Sequence, residues 1–167
     1  MDKQTNKIII WGKDNFNTLG LLRQLSGEGR RVFFLMWGKP TGCASASRFF
    51  GEYAIVESLD EGYHYLLTQF KAELVKPVLF TPSDEIIEFV DQHRPELHKS
   101  IIVPGTRESG LLTKIDDKNT MSDLAARIGF LIPASKICRW DTDISDVKYP
   151  CILKPAHTTA GHKNEFK

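Results

Sequence analysis

Hydrophobic and polar positions follow two patterns over about the first hundred residues, and together they predict alternating strands and helices. Short apolar runs at residues 7–11, 32–36, 53–56 and 78–81 are typical of strands, and continuous runs of this kind belong to strands covered on both faces. Apolar residues recur every three or four positions within residues 59–74, as on an amphipathic helix. The pattern predicts an α/β fold: a doubly wound, mainly parallel sheet of the Rossmann-like kind.

The turn after the first strand is a candidate ligand site. Gly12 ends the strand, and Asn15, Asn17 or Thr18 can cap the helix that follows. Gly12 and Gly20 are too far apart for the Gly-x-Gly-x-x-Gly fingerprint, which argues against a standard NAD site. The turn still lies at the carboxyl end of a strand beside a helix N-terminus, where anions and polar ligands bind.

Two further segments follow strand ends. The turn-rich segment 37–51 contains Arg48 and is long enough to indicate a functional loop, although Arg48 packing on neighbouring phenylalanines at the surface is an equal alternative. After the fourth strand, Ser83 is a good helix N-cap, and Asp84 and Glu85 are acids in the first turn of a helix extending to about residue 93.

The pattern changes after residue 105. A helix begins near Lys118 and ends at Gly129, and strands are predicted at residues 135–139 and 151–153. Lys154 follows the second of these strands directly. An ammonium group at that place either reaches water or meets an anion such as a polyphosphate, because burying it unpaired is costly.

Composition excludes several classes of protein. The chain has 167 residues, 41% apolar and 26% charged, and a net charge of +1, so no charge pattern indicates nucleic acid or a membrane surface. The N-terminus lacks a signal peptide and no apolar run could span a bilayer. Three cysteines lie at no metal-like spacing, and Cys138 and Cys151 are predicted to be buried thiols. These features favour a cytoplasmic protein.

The order of motifs over residues 116–156 resembles the first part of the ATP-grasp fold. It reads Asp-Lys, helix, Gly-x-x-Ile-Pro, strand, acidic connection, Tyr-Pro-x-x-x-Lys-Pro. The branch of carboxylate–amine ligases is the most similar, and carbamoyl-phosphate synthase large subunits are less so. The first turn and the Ser-Arg-aromatic element ending in Phe49 also resemble that ligase branch. Residues 81–85, Thr-Pro-Ser-Asp-Glu, resemble its Pro-x-Ser-Asp-Glu element.

The resemblance implies a domain organisation and a set of binding residues. Residues 1–104 would form a Rossmann-like pre-ATP-grasp domain, and residues 105–167 the N-terminal portion of an ATP-grasp domain. The ATP-binding positions it implies are Lys118 and Lys154, with Lys163 in the loop that follows. The residues expected to line the substrate cleft are Gly12, Asn15, Arg48, Ser83, Asp84 and Glu85.

The resemblance also implies a reaction. The parent enzyme would use ATP and Mg²⁺ to activate a small carboxylate as an acyl phosphate, which an amine then attacks. Glu165 is the only residue after Lys154 with a carboxylate side chain. The metal ligands are therefore expected beyond this chain, because Mg²⁺ is usually bound by carboxylates. The chain would then be an inactive N-terminal fragment. No catalytic residue or metal ligand is assigned, and a homodimer stays open. The alternative is a non-catalytic, doubly wound α/β module that binds a small ligand or a partner.

Overall fold

The computed structural model describes residues 5–27, 32–106, 108–116, 118–139 and 141–152. The chain divides into two compact units, Met1–Leu112 and Thr113–Lys167. Within the described ranges, no helix has the length and apolar character needed to cross a bilayer.

The first unit is built on a four-stranded sheet in which every pairing is parallel. Its strands are β1 (Ile8–Gly12), β2 (Val32–Trp37), β3 (Phe50–Val56) and β4 (Val78–Phe80), in the order β3-β2-β1-β4. The strands pair parallel throughout. The predicted α/β class and its four strands are therefore confirmed.

Helices cover both faces of this sheet. The helices among the described residues are α1 (Phe16–Leu25), α2 (Leu59–Gln69), α3 (Asp84–Gln92), α4 (Arg94–Leu97), α5 (Leu111–Asp116) and α6 (Lys118–Arg127). Ile9 and Trp11 of β1 face the cluster that contains α2 and α3, whereas Ile10 faces the cluster that contains α1. All three side chains are fully buried, which explains why β1 is apolar without interruption.

Gly62 allows α2 to approach the sheet closely. A Cβ atom at this position would lie 2.4 Å from Cζ2 of Trp11, well inside van der Waals contact. The indole therefore occupies the space that any larger residue on α2 would need. Trp11 also makes an edge-to-face contact with Phe89 of α3, so one side chain joins both helices to β1.

The structure corrects two boundaries in the first unit. The helix predicted over residues 59–74 ends at Gln69, and Leu74, expected on its apolar face, is 91% exposed. The Lys7–Glu73 ion pair and the hydrogen bond from Asn6 to a backbone carbonyl hold the following segment beside the start of β1. The short strand suggested by the apolar run at 101–103 is a single bridge to β4.

The second unit contains the predicted helix but not the predicted strands. α6 lies where expected, and Gly129 follows it with a φ of +88°. Residues 135–139 are not a strand, nor are Cys151 and Ile152, and Leu153 lies outside the described residues. A strand needs a hydrogen-bonded neighbour, and no paired strand occurs among the described residues of this unit. Cys138 and Cys151 are exposed, so the prediction that they are buried is wrong.

Replacing Gly62 and Gly20 by alanine tests the close approach of α2. We expect Gly62→Ala to destabilise the protein by about 1–3 kcal/mol, because the methyl group displaces Trp11 or the helix. Gly20→Ala in α1 is the matched control, since no atom lies within 4 Å of the position that its Cβ would take, and it should stabilise by about 0.5–1 kcal/mol. Urea unfolding measures both, and changes of the same sign would contradict the packing described.

Candidate ligand site at the carboxyl edge of the sheet

The order of the strands places a crevice at the carboxyl edge of β1 and β4. From β1 the chain moves outward to β2 and β3, and then returns to the other side of β1 as β4. In open parallel sheets, ligands bind where the strand order reverses in this way. The turns that follow β1 and β4 therefore meet at the position where a ligand site is expected.

The turn after β1 is fixed by its own side chains. Of the three candidate caps, Asn15 caps α1, because its Oδ1 accepts a hydrogen bond of 3.1 Å from the backbone N–H of Thr18. The buried Thr18 hydroxyl donates to the carbonyl of Lys13 at 2.6 Å. A Cβ at Gly12 would lie 2.6 Å from that hydroxyl oxygen and 3.2 Å from Cδ of Pro82. Gly12 and Asn15 thus shape the crevice by packing and capping.

The turn after β4 begins α3. Ser83 occupies the N-cap position, but its hydroxyl makes no capping hydrogen bond. Its backbone N–H donates weakly to the hydroxyl of Thr81 at 3.4 Å. Asp84 and Glu85 follow in the first turn and are exposed. The predicted cap is therefore correct in position only.

Lys13 connects the two turns. Its ammonium group forms an ion pair with Glu85 and lies 4.4 Å from the ring centroid of Trp37 at the end of β2. The indole N–H of Trp37 donates to the carbonyl of Glu57 at 3.3 Å, which orients the ring. Both members of the ion pair are 44% exposed, so a ligand can reach them. Exposed pairs contribute only about 0–1 kcal/mol, so exchanging this pair for a ligand costs little.

Sequence reasoning did not assign Lys13 or Trp37 to the site. Lys13 follows the strand that Gly12 ends, and Trp37 follows the apolar run at residues 32–36, so each had a local signal in the sequence. The strand order that brings the two residues together is a tertiary property. The predicted cleft residues Gly12, Asn15, Ser83, Asp84 and Glu85 do belong to the two turns at this edge.

Asp14 joins the turn after β1 to the loop after β2. Its carboxylate accepts four hydrogen bonds, from the N–H groups of Gly42, Ala44 and Ser45 at 2.6, 2.7 and 2.9 Å and from the Ser45 hydroxyl at 2.5 Å. Burial raises the pKa of Asp14, but the hydrogen bonds from these three residues outweigh it and hold the pKa below its usual value. A Cβ at Gly42 would lie 2.0 Å from the Asp14 carbonyl oxygen, so only glycine fits there.

Arg48 lies in a different place from the residues at the carboxyl edge. Its guanidinium carbon is 5.6 Å from the ring centroid of Phe49, which is the surface packing that the sequence left as an alternative. Together with α1, the loop forms an open groove of about 380 Å³, which we call the arginine groove. Its lining residues are Leu19, Arg23, Cys43, Ala46, Ser47, Arg48 and Phe49.

The predicted ATP-binding residues cannot be placed as a set. Lys118 lies in the first turn of α6, as expected from the sequence. The structure does not describe the side chain of Lys118. Lys154 and Lys163 lie outside the described residues. In the described ranges, no group of three or more histidine, cysteine, aspartate or glutamate side chains is arranged to hold a metal ion.

Comparison with protein-family models, with curated proteins and with solved structures gave no match.

The Asp14 carboxylate should contribute a pH-dependent part of the stability. We expect Asp14→Asn to destabilise the protein by about 1–3 kcal/mol at pH 7, because the amide keeps one acceptor oxygen but loses the charge. Folding lowers the Asp14 pKa, so its contribution is complete above the unfolded pKa of about 3.9 and is lost as the pH falls through the folded value. The difference between variant and wild type should therefore shrink below about pH 4.

Urea unfolding at pH 7 and at pH 3 measures this difference. Glu88→Gln removes an exposed carboxylate from α3 and should change the stability by no more than about 0.5 kcal/mol at pH 7. A destabilisation by Asp14→Asn that is equal at both pH values would contradict a role for the ionised carboxylate.

Proposed function

We propose that this chain is the N-terminal portion of an ATP-dependent ligase that joins a carboxylate to an amine, or of a related carbamoyl-phosphate-synthase-like enzyme. The single observation that carries the proposal is the meeting of Lys13, Trp37 and Glu85 at the carboxyl edge where the strand order reverses. The motif order over residues 116–156 supports the ATP-dependent part.

The carboxyl edge has the chemistry to hold a small polar substrate. The ammonium group of Lys13 can bind a substrate oxyanion, and the carboxylate of Glu85 can accept a hydrogen bond from an amine or ammonium group. The oriented ring of Trp37 provides a flat apolar wall beside them. Binding replaces the exposed Lys13–Glu85 pair by contacts with substrate, so neither charge is left unpaired.

The ATP site of the proposed enzyme rests on the sequence resemblance. ATP supplies a phosphoryl group: a substrate carboxylate oxygen bonds to the γ-phosphorus as ADP leaves, and the amine then displaces phosphate from the acyl carbon. Lys118, Lys154 and Lys163 would neutralise phosphate charge, so this chain would contribute positioning and electrostatic stabilisation. The described residues offer no set of ligands for Mg²⁺, so no step is assigned to the metal.

Trapping of an activated carboxylate tests the proposal. Hydroxylamine converts an acyl phosphate into a stable hydroxamate. The protein translated from the whole reading frame that contains this chain, supplied with Mg²⁺ and a panel of small carboxylates, should form hydroxamate only when ATP is present. Lys154→Ala should lower the rate by about 10-fold or more, because a charge-assisted contact to phosphate contributes about 1.5–3 kcal/mol.

The matched control is Lys148→Ala, which removes an exposed lysine a few residues earlier and should leave the rate unchanged. Absence of hydroxamate with every carboxylate tried, or equal losses in the two lysine variants, would contradict the ligase proposal.

A non-catalytic binding module is the second candidate. It is favoured by the observation that Lys13, Trp37 and Glu85 all belong to the first unit. A module of this kind should bind its ligand equally well with and without ATP. In a protein that forms no hydroxamate, two results together would support the module. Ligand should change the tryptophan fluorescence independently of ATP, and this change should be lost in Trp37→Phe.

A further inference from the structure

Two arginines and one serine are among the residues that line the arginine groove. Arg23 comes from the last turn of α1, and Arg48 comes from the loop after β2. Among the described residues, neither guanidinium group forms an ion pair with a carboxylate. No described carboxylate would therefore compete with a ligand for these two charges.

Ser47 adds a third donor to the groove. Its hydroxyl oxygen accepts a hydrogen bond of 3.2 Å from the backbone N–H of Phe49, which leaves its own proton to donate. Leu19 and the ring of Phe49 supply apolar surface next to these donors. The groove thus combines charged donors for an oxyanion with an apolar surface for the rest of a small molecule.

The groove is also organised in advance. Asp14 holds the beginning of the loop through four hydrogen bonds, and Ala44 is fully buried beneath it. Arg48 is oriented by its contact with the ring of Phe49. Part of the entropy that a flexible loop and a long side chain would lose on binding is therefore already lost in the free protein.

We propose that the arginine groove binds a small phosphorylated molecule through its phosphate group. A phosphate monoester carries about −1.5 to −2 charges at pH 7, which matches two guanidinium groups better than a single carboxylate does. Its three oxygens can accept from both arginine forks and from Ser47. No residue lining the groove is among the proposed ATP contacts Lys118, Lys154 and Lys163, and the phosphate proposal does not depend on the ligase proposal.

Cys43 provides a direct test, because its exposed thiol lines the groove. Inorganic phosphate is the probe. Peptide mapping follows the rate at which a thiol reagent modifies Cys43 in the 167-residue chain. The pH is 7, and chloride keeps the ionic strength constant. At ten times its Kd, phosphate should slow modification of Cys43 about 10-fold by occupying the groove. Cys138 and Cys151 are also exposed and serve as internal controls whose rates should not change.

Charge-removing variants locate the effect. Arg23→Gln and Arg48→Gln replace exposed side chains. Each should raise the phosphate concentration needed to protect Cys43 about 10-fold, because one charge-assisted contact is lost. Lys71→Gln removes an exposed positive charge outside the groove and is the matched control, with no expected change. A circular dichroism spectrum like that of the wild type verifies that each variant is folded.

Three results would overturn the proposal. The first is the absence of selective slowing of Cys43 modification at phosphate concentrations up to about 10 mM. A minimal ligand with a millimolar Kd would occupy most of the groove at that concentration. The second is an equal loss of protection in Lys71→Gln. The third is protection by the dicarboxylate malonate at lower concentration than by phosphate, which would assign the groove to carboxylates instead.

Discussion

The carboxylate of Asp14 is the contact on which both candidate sites depend. It lies two residues after β1 and receives four hydrogen bonds from the loop after β2, so two segments that are separate in sequence become one structure. The turn that contains Asp14 also contains Lys13, and the loop it holds continues to Arg48. Hydrogen bonds to an ionised group are stronger than those between neutral groups, so this one anion stabilises the loop.

The sheet provides the rigid support for these polar contacts. β1 is buried on both faces because helices cover both, and the close contact between Gly62 and Trp11 fixes one of those helices. The charged groups of the two candidate sites lie at the carboxyl edge and in the groove beside α1. The edge offers both an anion and a cation, whereas the groove offers only cations, so the two places are suited to different ligand chemistry.

The sequence predicted the elements of the first unit better than the contacts between them. Apolar runs indicate buried strands because burial itself imposes the pattern, and Asn15 was among three candidate caps because capping is local. The Lys13–Glu85 pair was not predicted, since it depends on β4 lying beside β1. The strand expected at residues 135–139 was wrong for a related reason: an apolar run specifies a strand only when a neighbour accepts its hydrogen bonds. Whether the lysines implied by the resemblance converge on a nucleotide stays a prediction.

A double-mutant cycle between Asp14 and Ser45 tests the central interaction most directly. Asp14→Asn, Ser45→Ala and the double variant are unfolded in urea at pH 7, and the coupling free energy is obtained from the four stabilities. The 2.5 Å hydrogen bond from the Ser45 hydroxyl to an ionised carboxylate predicts a favourable coupling of about 1–2 kcal/mol. Additive effects within about 0.3–0.5 kcal/mol would show that the turn and the loop are not held together by this carboxylate, and would contradict the central role given to Asp14.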